Sequence, residues 1–110
     1  MELAKRVVDG TVVIDIAGKL DTQTASAALE GLQEHLAANP GDILINLAAL
    51  DFVSSSGLRV ILRVAKQVRG KGDKLKVCGA GGVVKEVLEI SGFDSLLDLH
   101  DEEAQALAEF

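Results

Sequence analysis

The sequence predicts an α/β domain on a mixed β-sheet, with elements in the order β-β-α-β-α-β-α-β-α and helices packed against the sheet. Three observations carry this. A β-branched run follows Asp9-Gly10, a strong hairpin signal that makes the first two strands antiparallel. Short apolar runs of strand length then alternate with apolar stripes at helical spacing, the pattern of parallel strands joined by right-handed crossovers. The 110 residues, 48% hydrophobic and 25% charged, suffice for one domain with its own core, taken as residues 1–110.

The elements follow in order. Glu2 to Val8 pairs across Asp9-Gly10 with Thr11 to Gly18, where Val12, Ile14 and Ile16 fall on one face. Ala25, Ala28, Leu29, Leu32 and Leu36 mark the first helix, which Asp21 or Thr22 can cap and Asn39-Pro40-Gly41 ends. Asp42 to Leu47 reads as a strand buried on both faces, and Ala48 to Val53 as a short link. Leu58, Ile61, Leu62, Ala65 and Val68 form the apolar stripe of the second helix, with Gly70 as the residue closing it. Lys74 to Cys78 alternates as a strand, and Gly79-Ala80-Gly81-Gly82 connects it to a third helix marked by Val83, Val84, Val87, Leu88 and Ile90. Leu96 to His100 is a short fifth strand. Asp101-Glu102-Glu103 opens the last helix, its acids at the positive end of the dipole.

Charge and composition exclude several functions. The 17 acidic residues outnumber the 11 basic ones, for a net charge of −6, which opposes nucleic acid and anionic membranes alike. Only 3 aromatic residues, all Phe, leave no base-stacking surface. A lone Cys78 suits a reducing cytoplasm, and neither an export signal nor a membrane-spanning run is expected. The 2 His and 1 Cys lie far apart in sequence, without metal-ligand spacing, so no metal is expected.

The most informative local feature is Ser54-Ser55-Ser56-Gly57, ahead of a helix. A helix N-terminus presents unpaired N–H groups and partial positive charge, so Ser there can cap, and a phosphate there is accommodated. Capping is the plainer reading and needs one Ser; three exceed it. A serine hydrolase is disfavoured, because the only bases are His35 and His100 and the turn is not G-x-S-x-G. Gly79 to Gly82 lacks the G-x-G-x-x-G pattern and reads as a close-packed βα turn. Arg59, Arg63 and Lys66 share a face of the second helix, either as a solvated face or as a basic rim beside the serines.

Asp51-Phe52-Val53-Ser54-Ser55-Ser56-Gly57-Leu58-Arg59 resembles the signature of STAS domains of the anti-sigma-factor-antagonist type. Gly18-Lys19-Leu20-Asp21, the strand Ile43 to Leu47, and the segment Val83 to Phe93 ending in Ser-Gly-Phe are similar to the family in the same order. The resemblance implies a STAS-domain fold and a non-enzymatic, cytoplasmic partner-switching protein. Unphosphorylated, such a protein binds an anti-sigma factor that is also a serine kinase of the histidine-kinase-like ATPase type. Phosphorylation releases it, and a metal-dependent serine phosphatase restores it. The partner carries the ATP, so the resemblance implies no cofactor in this chain. By register with Gly57 and Leu58, the phosphorylated residue corresponds to Ser55. Ser54 stands where the family pattern typically has Asp, so Ser54 and Ser56 are the alternates. Asp21, Ser54, Ser55, Ser56, Gly57, Leu58 and Arg59 are the expected partner-facing residues. Related STAS domains also serve as accessory subunits or scaffolds of transport and signalling complexes, the alternative role.

Overall fold

Asp9 and Gly10 both take positive φ, 51° and 81°, as a tight two-residue hairpin turn requires. They join β1 (Glu2–Val8) to β2 (Thr11–Leu20) in antiparallel register. The computed structural model describes residues 1–110, and the remaining elements are α1 (Ala25–Ala38), β3 (Ile43–Asn46), β4 (Leu50–Val53), α2 (Ser55–Gly70), β5 (Leu75–Cys78), α3 (Gly82–Ile90), a 3₁₀ turn (Phe93–Ser95), β6 (Leu99–His100) and α4 (Glu103–Ala108). The sheet runs β1-β2-β3-β5-β6, and every pair after the hairpin is parallel.

The ten-residue β2 has two partners. Val12 to Asp15 pair with β3, while Gly18 to Leu20 pair with β4, across a register shift between Gly18 and Lys19. The segment expected as a link from Ala48 to Val53 therefore contains a sixth strand. Asp51 and Phe52 in its middle are exposed while Leu50 and Val53 at its ends are buried, so it lacks the alternation that marks a strand.

Side-chain alternation divides the sheet between two covers. Ile14, Ile16, Ile43, Ile45, Leu75 and Val77 pack with α1, α2 and α3 in the main core. Val13, Leu44 and Cys78 face the other way, against Ala106 of α4, with Leu107 and Phe110 beside them. The alternation in β5 thus does not leave one side wet. Lys76 is 7% exposed, its Nζ 2.6 Å from Asp98 Oδ2 and 5.4 Å from the centre of the Phe110 ring. The α2 stripe differs from the expected one: Val60 and Val64 are buried with Leu58, Ile61, Ala65 and Val68, whereas Leu62 is only half-buried at its edge. Only Val84 and Leu88 of α3 are buried; Val83 and Ile90 are exposed. The closing glycine of α2 falls two residues later than expected: Gly70 is the last helical residue, and Gly72 takes the left-handed conformation (φ 85°). Its N–H donates to Arg69 O and that of Asp73 to Val68 O, a Schellman closure.

A polar network fastens α4. Arg6 of β1 donates to both carboxylate oxygens of Asp15 (2.6 and 2.9 Å) and to Glu103 at the start of α4, which also accepts from Asn46 of β3 at 3.0 Å. The Arg6 hydrogen bonds, helped by Asn46 and outweighing the opposing effect of burial, hold the Glu103 carboxyl below the usual glutamate range. A carboxyl depressed in the folded state contributes stability above its unfolded value, near pH ~4.3, and loses it as pH falls through the folded value. Glu103→Gln is therefore expected to cost about 1 kcal/mol at neutral pH, with the gap from wild type closing in acid. Urea midpoints measured from neutral pH down to the acid limb check this; a gap independent of pH would contradict it.

Candidate functional site

The serine turn is positioned by β4, which runs beside the end of β2. Leu20 pairs with Val53, and the Ser54 N–H donates to Leu20 O at 2.9 Å. Two loops distant in sequence, at the ends of β2 and β4, are thereby brought side by side. Ser54 is extended (φ −96°, ψ 174°) and caps α2: its Oγ accepts from the Gly57 N–H at 3.3 Å, and its carbonyl accepts from the Leu58 N–H at 2.9 Å. The N–H groups of Ser55 and Ser56 have no acceptor within the protein, and the first turn holds no acid. That end of α2 accordingly offers two free donors and the positive end of a sixteen-residue dipole. Ser54→Ala removes the cap and is expected to cost about 1 kcal/mol, read as a lower denaturation midpoint.

The candidate residues separate by exposure. Ser55 and Arg59 are exposed, and Ser54 and Ser56 are half-buried. Gly57 is buried, and a Cβ there would lie 2.5 Å from Leu20 O. Leu58 is 1% exposed and belongs to the main core, so it leaves the partner-facing set: it anchors the turn from beneath. Asp21 is half-buried, and its Oδ1 accepts from the N–H groups of Gln23 (2.9 Å) and Thr24 (3.1 Å). It organises the entry to α1, although Thr24 is the residue that directly precedes the helix.

Thr22 is an addition that sequence reasoning assigned only to capping. Its Oγ1 lies 3.4 Å from Ser56 Oγ, across 34 positions of sequence. Phe52, on β4 two residues before Ser54, is a second addition, an aromatic side chain 40% exposed. Neither histidine bonds a serine: His100 Nε2 lies 3.0 Å from Asp98 Oδ1, and His35 sits near the end of α1. The glycine-rich turn behaves as a packing device, since a Cβ on Gly79 (φ 79°) would meet Asn46 Oδ1 at 2.9 Å and Ala48 N at 3.0 Å.

This sheet, with its opening hairpin and a capped serine turn beside the end of β2, defines the STAS class of α/β domain, and the STAS domain family profile matches residues 2–106. Among its relatives, BtrV of Bordetella bronchiseptica, a candidate anti-sigma factor antagonist, is 37% identical over all of this chain and 95% of its own length. The anti-sigma F factor antagonist of Paenibacillus polymyxa is 31% identical over 91% of this chain and 86% of its own. The crystal structure of an anti-sigma factor antagonist from Mycobacterium paratuberculosis superposes with a TM-score of 0.88 at 24% identity, covering 98% of this chain and 92% of that one. The chain belongs to the STAS-domain family of anti-sigma factor antagonists.

Proposed function

We propose that this chain is an anti-sigma factor antagonist whose binding is switched by phosphorylation of Ser55, its 110 residues acting as a single STAS domain in the cytoplasm. Names of relatives support the antagonist role, and the observation that supports the switch is the state of Ser55. It is the exposed serine of the turn, beside two unpaired N–H groups, on a backbone held to β2 and capped by Ser54. Ser54 already uses its hydroxyl as a cap acceptor, and Ser56 lies against Thr22, which sets Ser55 apart from its two neighbours.

In this reading the unphosphorylated chain occupies an anti-sigma factor that is also a serine kinase of the histidine-kinase-like ATPase type. The Ser55 Oγ attacks the γ-phosphorus of ATP held by that partner, ADP leaves, and the hydroxyl proton passes to a base outside this chain. The phosphate adds a charge of about −1.5 to −2 and three acceptor oxygens. It gains the free N–H groups of α2 while repelling and desolvating against the partner, so binding is lost. A metal-dependent serine phosphatase hydrolyses the ester and restores the hydroxyl. The domain supplies the acceptor and the surface; it performs no catalysis itself.

The direct test mixes the chain with a candidate kinase and ATP and maps the modified residue by mass spectrometry. A single phosphate on Ser55, absent in Ser55→Ala, is the expected result. Modification confined to another region, or none with any co-encoded ATPase of this type, would sink the assignment.

A further inference from the structure

The helix α2 concentrates basic charge in an acidic chain. From Ser55 to Gly70 it carries Arg59, Arg63, Lys66 and Arg69 and no Asp or Glu, while the whole chain is −6. Elsewhere Arg6 meets Asp15 and Glu103, Lys76 meets Asp98 and Lys85 meets Asp101, while Lys5, Lys19, Lys71 and Lys74 stand without a carboxylate and are scattered over other elements and loops. No carboxylate lies within ion-pair distance of an α2 cation, and only Arg69 is engaged, donating to Leu96 O at 3.1 Å. An exposed helix commonly offsets its own cations with acids three or four residues away; this one does not.

The free cations of α2 form one stripe. Spacings of four and three residues place Arg59, Arg63 and Lys66 on the same side of the helix, with Ser55 at its head, four residues before Arg59. The rotation of α2 is fixed by its buried face and by Gln67, whose Oε1 accepts from Gln33 of α1 at 2.6 Å. Arg59, Leu62, Arg63 and Lys66 line a shallow open groove of about 320 Å³. Leu62 provides a half-buried apolar patch among three cations.

We infer that this stripe is the docking surface for an acidic segment of a protein partner. Carboxylates one turn apart on such a segment match the one-turn spacing of the cations, and Leu62 supplies the dry centre a stable contact needs. A polyanion such as DNA fits poorly, because it would extend past three cations onto a strongly acidic remainder. Resting on the phosphorylation reading, the stripe also gains a competitor. A phosphate on Ser55 lies one helical turn from Arg59 and draws that guanidinium to itself, so the first cation is withdrawn from the partner.

The experiment uses the full chain and two probes: the kinase that modifies Ser55, and a synthetic Glu-rich peptide. With the kinase, Arg59→Glu combined with Arg63→Glu is expected to weaken binding about tenfold or more and to flatten its dependence on salt. Lys5→Glu combined with Lys74→Glu makes the same change in net charge off the stripe and is expected to leave binding within about twofold. Equal losses in the two double variants, or no loss in the first, overturn the inference. With the peptide, amide NMR shifts confined to Arg59 through Lys66 and lost at high salt support it. Shifts equally strong at Lys5 and Lys74, no shifts at all, or equal binding of a short DNA duplex overturn it. If no kinase modifies Ser55, the functional reading falls and the peptide titration still decides the stripe.

Discussion

Gly57→Ala is expected to lower stability by about 2 kcal/mol and to lift the start of α2 off the sheet. Two effects oppose one another. Alanine favours a helix over glycine by up to ~1 kcal/mol, less in a first turn. Against that, the new methyl would sit 2.5 Å from Leu20 O, 2.7 Å from Leu20 Cγ and 3.0 Å from Val53 Cγ2. The first of these is a backbone atom that cannot rotate away, and it accepts the Ser54 N–H that ties the serine turn to β2. Overpacking of this kind costs about 1–3 kcal/mol, and the relaxation that relieves it breaks that hydrogen bond. The melting temperature is expected to fall by about 5–10 °C, with amide shifts concentrated at Leu20 to Thr22 and Ser54 to Leu58. An unchanged melting temperature would show that α2 can settle elsewhere at no cost.

The second large effect concerns binding. In a pull-down with wild type, Ser55→Ala and Ser55→Asp, the first two are expected to hold the same ATPase-type partner and the third to lose it. Ser55 is exposed and its Oγ makes no hydrogen bond within the protein, so alanine removes nothing the fold depends on. Aspartate places a carboxylate where the phosphate would stand, and a penalty of ~3 kcal/mol at the centre of an interface is about a hundredfold in affinity. Retention by Ser55→Asp at wild-type strength would contradict a charge-driven release.

Much of this fold is legible from local pattern because the pattern is local in origin. The hairpin follows from Asp9-Gly10, and α1 from the spacing of Ala28, Leu32 and Leu36, all buried. What local pattern misses is set by long-range packing. The strand β4 is four residues long and exists because the end of β2 needs a neighbour; its exposed Asp51 and Phe52 disguise it. Lys76 looks like the wet side of a strand until α4 and Phe110 close over it. Val83 and Ile90 carry helical periodicity yet lie outside the core, since the short α3 buries only Val84 and Leu88. At the site, the serine turn announces itself through composition and resemblance. The inward turn of Leu58 and the approach of Thr22 to Ser56 depend on how two loops meet, which no local window contains.

The unequal covering of the sheet has a consequence for how the molecule breathes. Three helices seal one side, whereas the other relies on six-residue α4, its Arg6–Glu103 link and the Phe110 end. Sub-global opening should therefore begin there, below the cost of complete unfolding. Cys78 lies under α4, fully buried, with its thiol pushed up to about 11, first by burial and then by the charges of Glu103 and Asp15. A thiol-specific reagent would then act as a stopwatch for α4 undocking: its labelling rate should rise in Glu103→Gln and stay unchanged in Ser55→Ala, separating motion on the covered side from chemistry at the serine turn.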